Sequence, residues 1–141
     1  MIDEQEIYRD CITKNIPEAI PFENFWVGQD VIDEDRSNLG PVYITDWEVP
    51  GIPKPSSEDI DAWLQDFDTT PYFVRAVRAK RDNLLSQMDA RRLRHSDEVS
   101  LGLEPTEPLQ PLLLYIQALR DIPQQAGFPH DVVWPTDPIE G

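Results

Sequence analysis

The side chains in this sequence best suited to general-base, nucleophilic or zinc chemistry are His95, His130 and Cys11. The two histidines stand 35 residues apart in polar surroundings, and neither has a ligand-type partner four positions along a helix. A metal or proton-transfer centre needs convergent groups, and this spacing supplies none. Cys11 is the only cysteine, so an intrachain disulfide and a multi-cysteine metal site are both excluded; its place on an apolar helical stripe marks a buried thiol. Asp30, Asp33, Glu34 and Asp35 crowd together, but they lack the alternating oxygen ligands and closing glutamate of a calcium loop and read as a solvated turn. The six glycines are scattered singly, so there is no phosphate cradle. The expectation is a non-enzymatic chain with no catalytic residues, no cofactor and no metal.

Charge narrows the partners. The net charge of −15 opposes a phosphate backbone. Its distribution is uneven: residues 1–70 hold seventeen acids against four bases, 71–100 hold seven bases against four acids, and 101–141 hold six acids against one base. The bases from Arg75 to Arg94 have no interleaved aromatics, so they read as an exposed helix face or a dock for the chain's own acids. No run of 18 apolar residues and no basic-then-apolar N-terminus occurs, so neither a membrane span nor a secretory signal is expected and the protein should stay in the cytoplasm that makes it.

The elements that position these groups follow from local chemistry. Asp3 caps a first helix with Ile7, Tyr8, Cys11 and Ile12 on its stripe, ended by Asn15 and Pro17. Phe22–Ile32 and Val42–Val49 have the β-branched and aromatic content of strands, and the polar DEDRSNLGP between them has the length of a hairpin loop. In the second strand Tyr43, Thr45 and Trp47 should share one face, and Val42, Ile44 and Asp46 the other. PGIPKP is a rigid connector. Ser56 or Ser57 then caps a helix carrying Ile60, Trp63, Leu64 and Phe67, expected to lie on the small sheet. Pro71 opens a long helix to about Met88. Residues 89–107 hold either a short turn around Asp97–Leu101 or a loop, and a last helix runs from between Pro108 and Pro111 to about Asp121.

The fold class is therefore α+β: an acidic subdomain over 1–68, made of a helix, an antiparallel β-hairpin and a packed helix, then over 69–141 an αα hairpin and an extended Pro-rich tail. In that tail Pro123 stops the last helix, and the prolines hold an arm that carries two large aromatics. Phe128, Pro129, Val132, Val133, Trp134 and Pro135 are the candidate partner-binding residues. Their alternative place is on the chain's own helices.

The C-terminal part resembles a known family. Arg81, Asp82, Leu84 and Leu85 on one helix, Tyr115, Gln117, Ala118, Leu119, Arg120 and Asp121 on the next, and Val132, Trp134, Pro135 and Pro138 in the tail form an ordered set. That set is similar to the phage tail fibre assembly chaperones, also described as phage tail assembly chaperone proteins. The N-terminal part, YRDCITKNIPEAIPFENFWV, then VYITDWEV, then PKPSSEDIDAW, looks like the XkdW-type proteins encoded in phage tail regions. The likenesses cover about 1–68 and 72–138. They imply a partner in the phage tail fibre or baseplate, with neither nucleic acid nor membrane involved. The implied role is an assembly chaperone that binds a tail fibre subunit in the host cytoplasm and assists its folding, trimerisation or attachment. The alternative is a structural adaptor retained in the virion at the fibre hinge, tip or baseplate.

Overall fold

A computed structural model describes residues 2–35 and 37–139, and the chain divides into two compact units, Met1–Thr69 and Thr70–Gly141. The described residues form an α+β structure: α1 (Glu4–Asn15), β1 (Phe25–Val31), β2 (Leu39–Trp47), α2 (Ser57–Gln65), α3 (Thr70–Ser100), α4 (Leu109–Arg120) and a 3-10 turn, Ile122–Gln124.

In the N-terminal unit, α1 starts where the Asp3 carboxylate accepts from the Gln5 and Glu6 backbone N–H groups at 3.0 and 3.1 Å. These are orphan donors of the first turn, so the cap is a purely local start signal. Tyr8, Cys11 and Ile12 are the buried face, and Ile7 is only partly covered. α2 opens on a capping box: Ser56 Oγ accepts from Asp59 N at 3.1 Å, and the Asp59 carboxylate accepts from Ser56 N at 3.3 Å. Tyr8, Ile12, Ala19, Phe25, Ile44, Val49 and Ile60 form one core. α2 packs chiefly on α1, not on the sheet as its position in sequence implied.

The hairpin pairs β1 and β2 antiparallel, with Phe25 opposite Trp47, Trp26 opposite Asp46 and Val27 opposite Ile44. Between the last two pairs β2 carries an extra residue, Thr45. A bulge shifts the pleat by one position. Trp47 is thereby turned from the Tyr43 and Thr45 face to the core, where its ring lies 5.7 Å from that of Phe25. Simple alternation had placed it on the wrong side. Trp47 Nε1–H also donates to Ile52 O at 2.8 Å and so ties the Pro-rich connector down. Phe22, read as the start of the first strand, lies ahead of it in a left-handed turn with φ 65°.

In the C-terminal unit α3 runs twelve residues beyond Met88 to Ser100, a stretch whose sequence gave no clear helical stripe. Arg, Leu and Ala are good helix formers, and nothing breaks the helix before Gly102. There Gly102 takes φ 71°, its N–H donates to Val99 O at 3.0 Å, and Leu103 N–H donates to Glu98 O at 2.8 Å. This is the Schellman stop, for which glycine is the natural residue. The connector to α4 shrinks accordingly, from about twenty residues to eight. α3 and α4 make an αα hairpin over a core of Met88, Leu112, Tyr115, Ile116, Leu119 and Ile122.

Candidate functional site: the C-terminal arm

After the 3-10 turn the chain makes a tight bend. Asp131 N–H donates to Gly127 O at 2.7 Å, and a side chain at position 127 would collide with the Asp131 carbonyl, so only glycine fits. The Phe128–Pro129 peptide is cis. Beyond the bend the Gln125 side chain acts like a neighbouring strand: its Nε2 donates to Val133 O at 2.8 Å, and its Oε1 accepts from Val133 N at 2.9 Å. Gln125 thus satisfies both backbone groups of Val133 at once.

The arm then lies along α3. His130 packs at a tilt against Phe73 with ring centres 4.5 Å apart, the Lys80 ammonium sits 4.1 Å from the Trp134 ring centre, and Asp137 meets Arg91. Residues 130, 134 and 137 thus meet residues 73, 80 and 91 in order, as an extended segment running parallel to a helix must. Phe128, Val132 and Trp134 pack against the hairpin core beside Val77, Leu84 and Leu85. Pro129 and Pro135 are half-buried. Val133 alone of the six candidate residues is fully exposed, at 74%. The arm's aromatics are therefore spent on their own unit, and Val133 faces outward.

The arm is locked at its end by charge. Arg91 Nη1 and Nη2 donate to the Asp137 carboxylate at 2.7 and 3.1 Å, while Nε and Nη2 donate to Glu107 at 2.8 and 2.5 Å. Arg94 adds a longer bond of 3.4 Å to Glu107. A guanidinium has the planar fork to serve two carboxylates at once. Hydrogen bonding from Arg91 holds both Glu107 and Asp137 below their ordinary carboxylate pKa values, and the two acids raise Arg91 in turn. Glu107 is only 4% exposed, so its charge depends on this partner.

Sequence reasoning found the arm's aromatics but missed Lys80, Arg91, Glu107, Gln125 and Asp137 as its fasteners. No local signal marks them, because Arg91 and its partners lie 16 and 46 residues apart. The side chains considered for chemistry stay dispersed. His95 lines a groove of about 610 Å³ between α3 and α4, whereas His130 is packed against Phe73. Burial pushes the Cys11 thiol up. Asp30 accepts from the Tyr43 hydroxyl at 3.0 Å, and Asp33 and Asp35 are bonded to Ser37. Among the described residues no three or more His, Cys, Asp or Glu side chains converge to hold a metal ion.

The segment that builds this hairpin and arm also carries a family match. Residues 74–139 match the phage tail assembly chaperone protein family. Residues 9–72 match the XkdW protein family, so the change of family falls at the boundary between the two units. No curated protein and no solved structure matches the chain. The chaperone match supports a role in phage tail assembly, with a phage tail protein as partner. The chaperone-matched unit contains the Arg91–Asp137 lock, the Trp134 contact and the Gln125 brace. No helix among the described residues is long and apolar enough to cross a membrane.

Proposed function

We propose that this chain is a tail fibre assembly chaperone that binds a fibre subunit in the host cytoplasm and assists its folding, trimerisation or attachment by non-covalent contact, without catalysis. The observation that carries the reading is the chaperone-family match across 74–139, which covers the hairpin and its arm apart from the first turn of α3. Intertwined β-rich fibre chains expose apolar surface and unpaired strand edges before they assemble. A binder that covers such surface and then leaves needs a rigid scaffold with apolar side chains on its outside. Leu93, Leu101, Leu103 and Leu114 around the α3–α4 turn are exposed in this way, as is Val133 on the arm.

Co-expression with a phage tail fibre subunit tests the reading. The fibre subunit should shift from the insoluble to the soluble fraction and co-purify with this chain; an unchanged fibre fraction and no complex would overturn it. Mass spectrometry of purified virions separates a chaperone from an adaptor, because stoichiometric retained copies would mean an adaptor.

A further inference from the structure

We propose that Phe22 is an anchor of the N-terminal unit, presented for insertion into an apolar pocket on the tail protein partner. The proposal rests on the chaperone reading and names the contact through which the partner would be held.

Phe22 is the only non-glycine residue with positive φ among the described residues, at 65°. For a bulky side chain this region is disfavoured, because Cβ crowds the backbone. Glycine would adopt it without that cost. The phenyl ring does not pack in the core: it is 69% exposed, and the neighbouring Ile20 is exposed as well. A residue that strains its backbone and leaves its ring in water is a poor choice for folding alone.

The loop around it is nevertheless held firmly. Fully buried Ala19 and Phe25 pin its two ends. Asn24 Oδ1 accepts from Ile20 N at 2.7 Å, and Asn24 Nδ2 donates to Glu18 O at 2.9 Å. Thr13 Oγ1 donates to Ala19 O at 3.1 Å, Phe22 N to Phe25 O at 3.0 Å, and Glu48 N to Asn24 O at 2.7 Å. The Arg9 guanidinium, itself 3.9 Å from Asp3, lies 4.7 Å from the Phe22 ring centre and braces the ring on one side. An aromatic held in advance loses little freedom on binding, which is the property of interface anchors.

Charge states what the pocket must carry. Arg9 covers one side of the ring, but Glu18 and Glu23, both exposed, stand within four residues of Phe22 in sequence, in a unit whose residues 1–70 hold seventeen acids against four bases. The complementary surface is an apolar pocket with a basic rim.

The test uses the full chain and a phage tail fibre subunit that it binds in co-expression, with titration calorimetry and thermal melts of Phe22→Gly, Phe22→Trp and the double variant Glu18→Gln, Glu23→Gln. Phe22→Gly should bind at least about tenfold more weakly while melting at or above the wild-type temperature, since it removes the ring and relieves the backbone together. Phe22→Trp should stay within about threefold of wild type. Added salt should weaken wild-type binding, and the double glutamine variant should lose most of that dependence. Wild-type affinity in Phe22→Gly overturns the proposal, and so does a lower melting temperature, which would make the ring a structural part. A wild-type chain that binds no fibre subunit overturns the chaperone reading itself and this proposal with it.

Discussion

Arg91 and Asp137, forty-six residues apart in sequence, are joined by two guanidinium–carboxylate hydrogen bonds of 2.7 and 3.1 Å, and the same guanidinium holds the buried Glu107. This pair fixes the end of an extended arm to the middle of a long helix. Without it, two carboxylates on different segments would face each other with only Arg94 near one of them.

Arg91→Met should therefore destabilise the C-terminal unit by about 3 kcal/mol, the range for removing one partner of a buried pair. Urea unfolding followed by far-ultraviolet circular dichroism reads this, because the longest helix lies in that unit.

Acid should act through the same cluster. Glu107 and Asp137 have depressed pKa values in the folded chain, chiefly through hydrogen bonds from Arg91. Their contribution is thus fully present above the ordinary carboxylate range and is lost as pH falls below about 4 and through the folded values. Glu98, depressed by two hydrogen bonds from Thr106, adds to the same loss. Urea midpoints measured between neutral and acid pH should fall steeply in the wild type and less in Arg91→Met.

Trp134→Ala should lower stability by about 2 kcal/mol, less than a fully buried aromatic because the residue is only partly buried. Lys80→Ala should cost about 0.5 kcal/mol through the lost contact above that ring. Val133→Ala should stay within about 0.5 kcal/mol, as its side chain touches solvent. Denaturant midpoints order the three.

Gly127→Ala should destabilise the arm by about 1–3 kcal/mol, since the new methyl must displace the Asp131 carbonyl from the bend. The readout is faster proteolysis after the helical hairpin, checked by mass spectrometry of the released C-terminal fragment.

In the N-terminal unit Ser56→Ala should cost about 1 kcal/mol by removing the acceptor for Asp59 N. Ser57→Ala, one residue inside the helix, should cost less, and thermal melts of the two variants distinguish the cap from its neighbour.

Legibility in the sequence followed the range of the interactions. The starts of α1 and α2 and the end of α4 were readable because caps and prolines act within three or four residues, although the choice between Ser56 and Ser57 as the cap of α2 was left to the structure. α3 beyond Met88 was not, since that stretch is largely exposed and a solvated helix leaves no apolar stripe. Trp47 was assigned to the wrong face because a bulge depends on what the partner strand does, and Phe22 to a strand because it sits in a turn closed by Glu23 and Asn24 N–H donating to Ile20 O and by its own N–H donating to Phe25 O. Among the candidate site residues, the aromatic and proline pattern of the arm was evident, whereas its surroundings were not.

By itself the sequence determined the α+β class, the change of character near residue 69 and the resemblance to tail assembly proteins, because composition, caps and ordered motifs are written in neighbouring residues. Only the tertiary structure decided where the arm goes. Packing of Phe128, Val132 and Trp134 on the α3–α4 core brings in Met88, forty or more residues away, and the grip of Arg91 on Glu107 and Asp137 joins groups 16 and 46 residues apart. Contacts of that range exist only once the hairpin has closed, so no local pattern can announce them.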